Sequence, residues 1–264
     1  MDEEAEMARV FALAAGGSAE AAHTLCAELA ADAAREAPTV TELTPSNAHA
    51  INPTLPPAGV ALASVGDEAV GSVAALFHTH ADAEEPSSWL LCVYALTVLT
   101  SIAPNAPEPR ADGDAHALAV DAALAACQHP HFWVRRAAME LLGRLGAREG
   151  FGPGVLSVME QALRDGDRRV RRAASLALAQ HFLRSGERLD PLDEADFFAR
   201  RKAAEDACVV QLEERLDGDE DDGYNRFHIS LALQQREERR AARLGAGGGW
   251  RLSAASALRA RAVQ

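Results

Sequence analysis

Aromatic side chains make up only 5% of this 264-residue sequence, with two tyrosines and three tryptophans among them. Sheets rich in aromatic and β-branched residues are therefore a poor expectation, and the dominance of alanine and leucine in the 48% apolar fraction favours closely packed helices. Paired cysteines are lacking too. Cys26, Cys92, Cys127 and Cys208 stand far apart, each in an apolar helical setting, and read as buried thiols of a reducing compartment. No apolar run approaches the roughly 20 residues of a membrane helix. The opening Met1-Asp2-Glu3-Glu4 has no basic leader character, so the expected location is the cytoplasm.

Catalytic signatures are equally sparse. The sequence holds no GxSxG elbow, no Walker loop and no dinucleotide-binding glycine pattern, and Gly247-Gly248-Gly249 has no following phosphate-binding lysine. His78-Thr79-His80 and His129-Pro130-His131 each offer two imidazoles without HExxH spacing or further ligands. Asp217 to Gly223 alternates acids as a calcium loop does, but glycine is missing at its sixth place and His228 stands at its twelfth. It reads as a solvated acidic turn before a helix, where negative charge is favourable. No cofactor and no metal are expected.

Positive charge is also short, with 26 basic against 39 acidic residues and a formal net charge of -13. General binding to nucleic acid or anionic membranes is disfavoured, since phosphate contacts need a local basic excess. The imbalance is N-terminal, with 17 acids and 3 bases in residues 1 to 114. From Arg135 to Arg172 the sign reverses locally, with 9 arginines and 5 acids.

What is present is an internal repeat. Val134-Arg135-Arg136-Ala137-Ala138 recurs 36 residues later as Val170-Arg171-Arg172-Ala173-Ala174. Val134, Ala138, Leu141, Leu142 and Leu145 fall on one helical face, while Val120, Ala123 and Cys127 mark a helix before it. His129-Pro130-His131 and Asp165-Gly166-Asp167 break the chain between the two helices of each copy. Each unit is a helical hairpin with two apolar stripes.

A diverged third copy aligns Arg226 and Ser230 with Arg171 and Ser175, its first helix expected at about 203 to 216. An earlier, weaker copy runs from Gly66 to Ile102, and its second helix, apolar nearly all round at Trp89 to Leu96, should be deeply buried. The expected organisation is an N-terminal helical cap over 1–36, a Pro-rich crossing segment over 37–65, repeats over 66–235 with an insertion at 185–201, and an Arg-rich tail over 236–264.

Asp165 to Leu178, an acidic turn followed by Val-Arg and an Ala-Leu helix, resembles the motif of HEAT repeats, and His129 to Leu145 is similar to it with histidines in place of the turn acids. The resemblance implies an all-α, right-handed α-solenoid of about four to five stacked hairpins, an armadillo-type fold. It specifies fold far better than function. In HEAT proteins the second helix of each pair usually lines the concave side, which puts Arg136, Glu140, Arg172 and Leu176 near that side. Arg135, Arg171 and Arg226 share the place that in this family bridges acidic or carbonyl groups.

Trp133, Arg169 and Tyr224 align with one another at the start of successive second helices and are side-chain types enriched in binding hot spots. The expected function is a non-enzymatic scaffold or adaptor receiving a protein partner in its groove. Arg136 and Arg172 are expected to lie free of packing duties and side by side. Two alternatives come with the resemblance: a phycobilin-lyase-like enzyme or chaperone-like factor acting on a tetrapyrrole, with Trp89 and Tyr94 as wall, and nucleic-acid binding of the HEAT-like DNA glycosylase kind. The HEAT-type deoxyhypusine hydroxylases hold di-iron with His-Glu pairs, and no His-Glu dipeptide occurs here.

Overall fold

The computed structural model describes residues 3–41, 54–83, 85–102, 114–149, 152–184, 195–217 and 222–243. Among these the secondary structure is helical throughout, in eleven helices: α1 (Glu3–Ala14), α2 (Ala19–Thr41), α3 (Pro57–Val65), α4 (Asp67–His80), α5 (Pro86–Ile102), α6 (Asp114–Ala126), α7 (Phe132–Glu149), α8 (Pro153–Ala162), α9 (Arg168–Arg184), α10 (Ala195–Asp217) and α11 (Gly223–Arg243). No helix of the described residues is long and apolar enough to cross a membrane. The chain divides into two compact units, Met1–Leu141 and Leu142–Gln264.

In the first unit α2 and α4 both pack on α5, α1 lies against α3, and α4 against α6. As its unbroken apolar run requires, α5 is the centre, with Leu90 to Leu96, Val98 and Leu99 all buried. The one polar tip in that run, the Tyr94 hydroxyl, donates to the Glu36 carboxylate on α2. Burial and then that carboxylate push the phenol pKa upward, so Tyr94 is a neutral core residue rather than a pocket wall.

The Pro-rich segment holds more helix than its composition suggests. At its near end α2 runs on to Thr41, and at its far end α3 begins on Pro57, a residue suited to a first helical turn because it has no N–H to satisfy. Ala58, Ala61 and Leu62 are buried. Gly66, at φ 78° and ψ −143°, then separates α3 from α4 in a conformation that only glycine adopts without strain.

In the second unit first helix packs on first helix, α8 on α10, and second on second, α9 on α11, as stacked hairpins require. Gly143 on α7 makes a close approach to α9, where an added Cβ would lie 3.0 Å from the Ala177 Cβ. The third hairpin is longer than its sequence signal. α10 starts at Ala195, inside the expected insertion, and α11 continues past Arg236 to Arg243. Residues 185–194 and 244–264 lie outside the described residues.

Candidate functional site

The α6–α7 and α8–α9 turns are built the same way. Asp165 Oδ1 accepts from the Asp167 backbone N–H at 2.8 Å, and Arg171 Nη1 donates to the carbonyls of Asp165 at 3.1 Å and Gly166 at 3.3 Å. In the preceding copy Arg135 Nη1 donates to the carbonyls of His129 at 3.0 Å and Pro130 at 2.7 Å. The repeated arginine thus satisfies carbonyls left over where the first helix ends, within its own hairpin. Its role is structural. The third copy keeps another part of the pattern: the Ser230 hydroxyl donates to the Arg226 carbonyl at 2.9 Å, as Ser175 does to Arg171 at 2.9 Å.

The residues expected to meet a partner fall into two groups. In the first unit Trp133, Arg136 and Glu140 come together on α7. Arg136 lies 4.9 Å over the Trp133 ring and its Nε donates to Glu140 Oε1 at 2.8 Å. Trp133 itself is buried, Arg136 half-buried and Glu140 exposed. The indole is therefore largely a core-capping residue with the guanidinium as its outer surface.

Neighbours that the sequence reading did not count as contacts extend this group. Trp89, from the first turn of α5, stacks on His131 at 4.0 Å and 16° between planes. His131 is followed by Phe132 at 5.1 Å, and Phe132 by Trp133 at 5.3 Å. Trp89, His131 and Phe132 are all half-buried, so the result is a partly open aromatic strip ending in a charged edge. Trp89 opens the apolar run expected to be deeply buried but is only half-buried, and only the fold brings it to His131.

In the second unit Arg169, Arg172 and Leu176 lie along α9. The Arg169 N–H donates to Asp167 Oδ1 at 2.8 Å in an N-cap, and its Nη1 stands 3.6 Å from Asp167 Oδ2. Leu176 is half-buried. Tyr224 sits in the first turn of α11, and its side chain lies outside the described residues. Arg172 departs from expectation. Its guanidinium pairs with Asp222, a carboxylate whose side chain is only 4% exposed, so Arg172 ties α9 to the start of α11 and does carry a packing duty.

Asp222 belongs to the run expected to be a solvated turn, yet it is buried. Close by is His228, whose pKa is lowered by burial and then by the Arg172 charge, so its ring is held neutral there. A second buried pair joins α9 to α10, His181 Nε2 to Glu205 Oε1 at 3.1 Å with no His181 surface exposed. No motif announced it; a lone histidine in an apolar stripe looks like any core position.

The four thiols are not poised as nucleophiles. Burial pushes the thiol of Cys26 up to about 11 and those of Cys92, Cys127 and Cys208 to about 12, away from the reactive thiolate. Among the described residues no three His, Cys, Asp or Glu side chains converge as a metal site. Four arginines of the local basic stretch, Arg135, Arg136, Arg171 and Arg172, are engaged by carbonyls or carboxylates of the chain itself.

Helical hairpins with an acid or histidine turn, a carbonyl-clamping arginine and an Ala-Leu second helix define a helical-repeat protein. Residues 95–179 and, in an overlapping register, 120–207 match the HEAT-repeat family, so this part of the chain carries HEAT repeats. No curated protein matches its sequence. The crystal structure of an engineered protein from a structural genomics consortium is similar at 17% identity, over 90% of this chain and 93% of that one, with a TM-score of 0.46.

Proposed function

We propose that this HEAT-repeat protein is a non-catalytic adaptor that receives a protein segment, with Trp133, Arg136 and Glu140 at the centre of the contact in the first unit. The observation that carries the reading is the strip from Trp89 through His131 and Phe132 to the Arg136 guanidinium. Rigid aromatic surface next to a guanidinium is the composition of binding hot spots. Arg136 is bound to Glu140 only by a surface pair of the i, i+4 kind, which contributes little and exchanges readily for a partner's carboxylate. An acidic or carboxylate-bearing peptide with an apolar flank fits that chemistry. In the second unit, taken by itself, Arg169, Leu176 and Tyr224 are a separate contact set, while Arg172 serves the fold.

The test is quantitative proximity labelling with the full chain, its Arg136→Glu variant and a Glu140→Arg variant. At least one protein labelled by the wild type should be lost about tenfold from Arg136→Glu, retained by Glu140→Arg, and lost without change in helicity. Identical labelling by all three would move the interface away from α7. Turnover of a small molecule by the purified chain would remove the non-catalytic reading.

A further inference from the structure

The α6–α7 turn differs from the α8–α9 turn in one chemically decisive way. Where Asp165 Oδ1 accepts the N–H of the residue two places on, the equivalent acceptor is His129 Nδ1, receiving the His131 N–H at 3.0 Å. Both turns then have their carbonyls clamped by the same arginine, Arg171 in one and Arg135 in the other. A carboxyl group keeps an acceptor oxygen whether or not it is protonated. An imidazole does not: once protonated, both ring nitrogens are donors.

We propose that protonation of His129 unlocks the α6–α7 turn, making this HEAT hairpin acid-labile where the hairpin built on Asp165 is not. The imidazolium would point an N–H at the His131 N–H, and it would stand beside the Arg135 guanidinium that closes the same turn. Charged groups acting on the ring are Arg135 from α7 and Asp82 from the α4–α5 turn, with His131 two residues on. Asp82 is exposed, so water screens its attraction, whereas His129 is buried. The first turn of α7 carries Phe132 and Trp133, so opening the turn disturbs the aromatic strip directly.

Burial, joined by the Arg135 charge, holds the folded-state pKa of His129 below the ordinary value. The folded chain therefore binds this proton less readily than the unfolded chain. Its stability is complete above the unfolded value of about 6.5 and falls as pH drops below it, by about tenfold in the folding equilibrium for each pH unit until the folded pKa is reached.

The experiment compares the full-length wild type with His129→Asn, which keeps an acceptor oxygen and cannot titrate, at about pH 7.5 and about pH 5. Other histidines are common to both chains, so their contribution cancels. We expect the wild type to lose severalfold more of its folding equilibrium than the variant. Equal losses overturn the proposal. If His129→Asn does not fold, amide exchange in the wild type decides: protection of the His131 N–H should fall severalfold more than that of the Asp167 N–H. Equal changes at the two amides, or an NMR titration of His129 at or above about 6.5, would overturn it as well.

Discussion

The hairpins α6–α7 and α8–α9 share a backbone plan and differ in what their equivalent side chains do. Arg135 and Arg171 make the same pair of bonds to the same two carbonyl positions. One residue on, the equivalence ends: Arg136 covers an indole and pairs with exposed Glu140, while Arg172 reaches the buried carboxylate of Asp222. A repeat is thus conserved in its short-range bonds, which each hairpin makes within itself. Longer side chains answer to whatever the next element brings, and α11 brings an acid to Arg172.

The sharpest way to break this comparison is charge reversal at the two places. Arg172→Glu leaves Asp222 buried beside a second acid, and the loss should reach about 2–3 kcal/mol, moderated by the partial exposure of the arginine. Urea unfolding measures it. If Arg172→Glu unfolds at the same midpoint as Arg136→Glu, the Asp222 pair is not structural.

A second contrast lies at Gly143 and Ala179, again 36 residues apart. A Cβ at Gly143 would stand 3.2 Å from the Ala177 Cα, so backbone rather than a flexible tip would have to yield. Gly143→Val should cost about 1–3 kcal/mol by overpacking. Ala179→Gly should cost only about 1 kcal/mol, mainly in helix propensity. Thermal unfolding that ranks them the other way would show that the α7–α9 approach is loose.

Similarity is tested by Arg135→Ala and Arg171→Ala, each of which removes two bonds to turn carbonyls. The expected loss is about 1–2 kcal/mol in each case, because those carbonyls regain some water. Losses that differ by more than a factor of three would mean that the clamps are not equivalent. The smallest effect belongs to Arg136→Glu, within about 0.5 kcal/mol in stability, because its pair with Glu140 is of the i, i+4 surface kind that contributes little. Its consequence should be read in partner labelling.

Much of the repeat was legible in advance because its signals are local. The 36-residue offset located α6 to α9 closely, and the breakers at His129 to His131 and Asp165 to Asp167 fall where the turns occur. Helix α3 was hidden because its nine residues begin at the end of a proline-rich stretch and are too short to show a period. Trp133 was expected among the contact residues, and its alignment with Arg169 and Tyr224 could not show that its ring is buried with Arg136 over it.

The sequence by itself determined an all-helical chain, the hairpin as its unit, the arginine that follows each turn and the nearly complete burial of α5. These depend on periodicity, propensity and bonds spanning six residues or fewer, all written along the chain. Only the tertiary structure decided that Arg172 belongs to Asp222, that Trp89 stacks on His131, and that His181 is buried against Glu205. Each of these pairs joins residues from different helices or turns, 24 to 50 positions apart. Whether a charge is an open contact or a buried tie depends on what packing places opposite it, and no local pattern records that.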